Sequence, residues 1–170
     1  MRIAPFRTEP FFHVRPWGGR AMETDLGKSI PPGPVAESWE VSAHPNGVSR
    51  VGTGPFAGMG LDELARQAGP ALVGERAHRA YGGEFPLLVK LIDVNALASV
   101  QVHPNDEQAE RLEGYPHGKT EAWYIISRSP SARFSLGLVP GVTAAGFRDV
   151  TNILGGFTGW EHAGLPVDRT

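Results

Sequence analysis

At 170 residues and 41% hydrophobic content, the chain is long enough to form one domain around a packed core. Its formal net charge of −2, with both signs interspersed, excludes the basic stripe of a nucleic-acid binder and the polybasic segment of a membrane-surface protein. There is no cysteine, hence no disulfide framework, no run reaches the ~20 apolar residues of a membrane span, and Pro5 and charges interrupt the opening stretch where a signal peptide needs continuous apolar residues. The expectation is a cytoplasmic protein with a small polar ligand, and with neither nucleic acid nor membrane as partner.

Glycines and prolines are spread along the chain and suit short strands punctuated by turns, so the fold class expected is mainly β with short helices. Pro5 to Trp17 reads as an extended opening segment. Trp39-Glu40-Val41-Ser42-Ala43 alternates like a half-buried strand, and Ser49-Arg50-Val51-Gly52 is expected to pair beyond the Pro45-Asn46-Gly47 turn. Leu61 to Gln67 carries apolar residues at helical spacing, with Gly69-Pro70 to end it, and a second helical stretch is expected from Ala71 to Ala80. Phe85 to Asp93 is nearly all apolar, which suggests a strand covered on both faces, with Lys90 inside it as a candidate buried charge.

The next segment carries the chemistry. On a strand, Gln101 and His103 point to one face while Val100 and Val102 point to a core. Pro104 ends that strand, and Asn105 caps a helix over 106–113 with Gln108 at the capping-box position and Gly114 as the stop. Glu121 then opens a run to Ile126 rich in aromatic and β-branched residues, which predicts a second strand. Two neighbouring strands can thus aim an amide oxygen, an imidazole and a carboxylate at one metal ion. Spacing alone supports a surface strand with ordinary polar residues equally well.

Lys119 shares a face with Glu121 if the second strand begins early, and is otherwise a loop lysine; it is one of only three lysines in the chain. Ser99 faces with Gln101, as a cavity residue or a plain strand serine. Trp17 and Trp39 read first as packing residues, Glu40 and His44 as core or pocket wall, Asp106 and Glu107 as first-turn charges favoured by the helix dipole, and His162 as a solvated histidine.

These residues also carry a resemblance. Ser99-Val100-Gln101-Val102-His103-Pro104-Asn105-Asp106, seventeen residues between His103 and Glu121, and the run from Gly118 to Ile126 resemble type I mannose-6-phosphate isomerases, the zinc-dependent phosphomannose isomerases of the cupin superfamily. Arg15 to Gly19, Glu37 to Gly47 and Phe85 to Asp93 are similar to that family's N-terminal half, in the same order. The resemblance covers about residues 5 to 140. It implies a cupin-type (jelly-roll) β-barrel, one Zn2+ per chain held by Gln101, His103 and Glu121, Lys119 as the catalytic residue, Ser99 and Trp17 at the substrate, and a sugar phosphate as that substrate.

In the resembled family a second set of strands supplies a fourth metal ligand, a histidine, and an arginine near the substrate, and neither segment is found here. The barrel is therefore expected to be incomplete, with homo-oligomerisation as a way to cover its open edges. The expected division is a catalytic cupin portion at 1–140 and a divergent tail at 141–170, of which residues 150–167 are similar to the closing segment of rhodanese-like domains. Without cysteine that tail has no sulfur-transfer nucleophile. Two functions stay open: interconversion of mannose 6-phosphate and fructose 6-phosphate by enediol proton transfer, or a non-catalytic cupin fragment or sugar-phosphate-binding module.

Overall fold

Two β-rich opening segments and a glycine-punctuated middle set the architecture of the computed structural model, which describes residues 3–98 and 103–133. In chain order the elements are β1 (Thr8–Glu9), β2 (Phe11–Gly19), α1 (Ala21–Thr24), β3 (Val35–Val41), β4 (Arg50–Val51), α2 (Leu61–Ala68), α3 (Pro70–Val73), α4 (Glu75–Ala80), β5 (Val89–Ile92) and α5 (Asp106–Glu113). The chain divides into two units, Met1–Ala98 and Ser99–Thr170. The boundary expected near residue 140, and the tail beyond it with His162, lie outside the described residues.

In the first unit, β2, β3 and β5 form an antiparallel sheet with β3 in the centre, and β1 pairs with β4 in a second, two-stranded sheet. Register puts Phe11, Trp39 and Lys90 in one cross-strand row and His13, Glu37 and Ile92 in the next, so these six side chains share a face. The β2–β3 register shifts between Val14 and Gly19. Pro16, which has no N–H to give the ladder, sits inside that shift. Just beyond, Gly18 passes so near β3 that a Cβ there would lie 2.7 Å from Ala36 Cα.

The core of this unit gathers on α2. Leu61, Leu64, Ala65 and Ala68 recur at i, i+3, i+4 and i+7 and are all buried. Val51, Leu64 and Ala68 pack together with Ile3, Phe6, Phe56, Met59 and Leu72 around them. Complete burial of Leu64 contributes about 1.5–3 kcal/mol on transfer grounds.

Several expectations need correction. The strand expected at 39–43 runs instead over Val35–Val41, and β4 pairs with β1, while Ser49 before it donates from N to Ser42 O and from Oγ to Trp39 O, each at 2.9 Å. The helical stretch at 71–80 is split at Gly74, whose φ of 82° no continuing helix allows. Within Phe85–Asp93 only Val89–Ile92 is laddered, and it is not covered on both faces: Leu87 is 62% and Val89 51% exposed. Among the described residues the strands form open sheets and no closed barrel, as an incomplete barrel requires. No helix among them is long and apolar enough to cross a membrane.

Candidate functional site

In the second unit, local sequence builds the site from a helix cap. Asn105 is the N-cap of α5: its side chain accepts from Gln108 N at 2.8 Å while Gln108 Oε1 accepts from Asn105 N at 3.0 Å, the reciprocal pair expected from Asn-x-x-Gln. Gly114, with φ of 67°, closes the helix in the left-handed conformation. The chain then doubles back. Gly118 N donates to Asp106 Oδ1 at 2.8 Å, and Lys119 N donates to Pro104 O at 3.0 Å.

This return brings three of the expected site residues together. His103 Nε2 lies 3.4 Å from Glu121 Oε2, and Lys119 Nζ lies 3.6 Å from the same oxygen. The His103 and Glu121 side chains are 15% and 13% exposed, whereas that of Lys119 is 39% exposed. The arrangement therefore buries its nitrogen–carboxylate pair and presents its ammonium to solvent. Beyond Glu121 the expected alternation is present, with Trp123 and Ile125 half-buried and Tyr124 and Ile126 exposed, but 121–126 makes no ladder among the described residues.

An imidazole nitrogen and a carboxylate oxygen are donor types that zinc accepts. Ligands on a tetrahedral zinc with bonds of about 2.0–2.1 Å stand about 3.4 Å apart, and His103 Nε2 and Glu121 Oε2 have that separation. Among the described residues no group of three His, Asp or Glu side chains converges. The expected third donor, Gln101, lies outside the described residues, as does Ser99. Trp17 is half-buried on β2 in the first unit, where its carbonyl accepts from Asn95 N at 2.9 Å and from Ala96 N at 3.2 Å.

The first unit holds a second constellation, which the sequence signalled through Lys90 as a buried charge and Trp39 as a packing residue. Lys90 Nζ and Glu37 Oε2 are 3.7 Å apart with side chains 13% and 15% exposed, and Trp39 Nε1 donates to the same Glu37 oxygen at 2.6 Å. The Glu37-x-Trp39 alternation predicts a shared face, but finding Lys90 as their partner takes the β3–β5 register. Beside them His13 packs its ring 4.4 Å from that of Trp39, and its Nε2 is buried with no hydrogen-bond partner. Burial holds the His13 imidazole below its ordinary value, helped by Arg15, Lys90 and His44 and opposed by Glu37. On the other face, Glu40 accepts from Lys28 Nζ at 3.0 Å and from Ser38 Oγ at 2.5 Å.

Comparison with known proteins supplies the remaining observation. The family model for the phosphomannose isomerase type I catalytic domain matches residues 6–148. Mannose-6-phosphate isomerase ManA of Bacillus subtilis (strain 168) is 41% identical over 140 residues, covering 81% of this chain and 42% of that protein. Mannose-6-phosphate isomerase of Streptococcus mutans is 40% identical over 139 residues, covering 76% of this chain and 40% of that protein. The crystal structure of mannose 6-phosphate isomerase from Bacillus subtilis superposes with a TM-score of 0.66 at 41% identity, covering 73% of this chain and 38% of that one. The chain thus spans about two fifths of the length of the curated relatives it matches.

Proposed function

The chain belongs to the type I phosphomannose isomerase family, and on that premise we propose that it carries the N-terminal part of a zinc-dependent mannose-6-phosphate isomerase. The observation that carries the proposal is the convergence of His103 and Lys119 on one oxygen of Glu121, at 3.4 and 3.6 Å. In this reading Gln101, His103 and Glu121 hold one zinc per chain, and a zinc so held supplies Lewis acidity toward substrate oxygens.

Interconverting mannose 6-phosphate and fructose 6-phosphate moves a proton between C2 and C1 through an enediol, and negative charge develops on the substrate oxygens. Lys119 has the charge and the exposure for that task. Its ammonium can hold a substrate oxygen or carry the proton, while the Glu121 carboxylate beside it keeps the ammonium oriented. Ser99 and Trp17 are the proposed substrate contacts. The proposed catalytic portion is 1–140, with 141–170 as a divergent tail, and the proposed location is the cytoplasm. Leu87, exposed just before β5, and Val89, exposed within it, favour self-association as a way to cover the sheet.

One fact favours a second reading. A chain that covers about two fifths of its relatives' length suits a sugar-phosphate-binding module, or a fragment without turnover, that depends on further chain for its remaining ligand and arginine. A coupled isomerase assay on the 170-residue chain with mannose 6-phosphate, with and without zinc, separates the two. The isomerase reading expects zinc-dependent turnover that His103→Ala and Glu121→Ala abolish; folded protein with no turnover removes it and leaves the module.

A further inference from the structure

We infer that Asp106 is a positioning residue for the candidate site: its carboxylate latches the backbone of Gly118 and so sets Lys119 and Glu121 beside His103. The inference rests on reading His103, Lys119 and Glu121 as a zinc and sugar-phosphate site. It goes beyond the local role that the sequence suggests for Asp106, which is only a favourable charge in the first turn of a helix.

Three observations converge on the latch. Gly118 N donates to Asp106 Oδ1 at 2.8 Å, across twelve residues of sequence. The next amide, Lys119 N, donates to Pro104 O at 3.0 Å, so two consecutive amides of the returning strap are held by residues flanking Asn105. Finally, the strap lies flush on that turn. A Cβ at Gly118 would stand 2.6 Å from the Asn105 carbonyl carbon and 2.8 Å from Asn105 Cα, which is far inside van der Waals contact. Only glycine lets the backbone come near enough for the Asp106 bond.

The anchor is rigid because Asn105 and Gln108 hold the N-terminus of α5 by their reciprocal bonds. His103 precedes that turn by one residue, and Lys119 and Glu121 follow Gly118 by one and three. The latch therefore fixes both sides of the His103–Glu121 approach from a single point. Asp106 acts on the ligand side chains through the Gly118 amide.

The test uses the 170-residue chain and zinc ion alone, with affinity read by competition against a chromophoric chelator. Amide hydrogen exchange at Gly118 and Lys119 is read without metal, and thermal unfolding is followed alongside. Asp106→Ala is expected to weaken zinc binding about 10- to 100-fold, the usual effect of losing a group that orients a ligand, and to speed exchange at both amides. Asp106→Asn keeps an acceptor oxygen in place and is expected to restore both readouts. Glu107→Ala, which removes a charge from the same helical turn, is expected to change neither. Gly118→Ala keeps Asp106 but lifts the strap, and is expected to weaken zinc binding as Asp106→Ala does, which covers the case in which Asp106→Ala fails to fold.

Wild-type affinity or wild-type exchange in folded Asp106→Ala overturns the inference, as does wild-type zinc affinity in Gly118→Ala. A wild-type chain that binds no zinc refutes the zinc reading instead. The latch is then judged by exchange alone, where unchanged protection of Gly118 and Lys119 in Asp106→Ala overturns it.

Discussion

Gly47 is a position where a single methyl group is opposed by ring atoms on three sides without any backbone penalty. It is buried at the end of the His44–Gly47 turn, where its N–H donates to His44 O at 2.9 Å. A Cβ there would meet Phe11 Cδ1 at 2.8 Å, Trp39 Cε3 at 2.9 Å and His13 Nε2 at 3.1 Å. These are ring atoms in a tilted and edge-to-face cluster, Phe11 to His13 at 5.1 Å and His13 to Trp39 at 4.4 Å, and not the ends of flexible side chains. Gly47→Ala stiffens the unfolded chain, a gain of about 0.4–1 kcal/mol. Overpacking a filled site costs about 1–3 kcal/mol. The net expectation is a loss of about 1–2 kcal/mol. Urea denaturation followed by tryptophan fluorescence checks it, the midpoint falling by roughly 0.5–1 M with unchanged slope, from a slope of about 1–3 kcal/mol per molar. Phe11→Leu in the Gly47→Ala background should recover part of the loss, because it removes one of the opposing ring atoms. Stability of Gly47→Ala at or above wild type would refute the packing argument.

Three further outcomes are expected. Asn105→Ala removes the acceptor for Gln108 N and should cost about 1 kcal/mol, read as faster amide exchange through the first turn of α5. Because burial keeps the folded His13 imidazole below its ordinary 6.5, the unfolded chain takes up that proton first as pH falls. The contribution of His13 to stability is therefore complete above pH 6.5 and is lost as pH drops through the lower folded value. His13→Phe should accordingly show a smaller fall in denaturation midpoint between pH 7 and 5 than wild type. If the proposed isomerase reading holds, Lys119→Met should lower kcat with little change in zinc affinity, whereas an equal loss of both would assign Lys119 to metal binding rather than to substrate.

What the sequence revealed about this chain depends on how far apart the deciding groups lie. Asn105, Gln108 and Gly114 declare α5 to within its observed bounds, because a cap is a contract among residues three or four apart. Leu61, Leu64, Ala65 and Ala68 declare α2 for the same reason. Strands are different. Phe85 to Asp93 is uniformly apolar, yet only Val89–Ile92 finds β3, and the alternation from Glu121 to Ile126 is present without a ladder among the described residues. Periodicity reports which residues alternate, and the partner decides whether a strand exists. The same holds at the candidate site. His103, Lys119 and Glu121 were legible as motif residues, whereas Glu37 as the partner of Lys90 and Asp106 as the partner of Gly118 depend on register and loop closure that no local pattern encodes.

Loop closure also explains why the strap needs a latch. Seventeen residues separate His103 from Glu121, and α5 orders eight of them, leaving about nine whose closure costs on the order of 2 kcal/mol in the length-dependent part alone. Two backbone-anchored bonds, Gly118 to Asp106 and Lys119 to Pro104, each contribute about 0.5–1.5 kcal/mol net. The closure cost and these two contributions are of the same size, so loss of one bond should speed amide exchange at Gly118 and Lys119. The caps of α5 do not draw on the strap, since Asn105 bonds Gln108 and Gly114 N bonds Glu110 O at 3.1 Å. The helix therefore persists when the strap opens. Fast exchange at Gly118 and Lys119 beside protected amides in α5 is therefore the expected signature of losing the Gly118 bond.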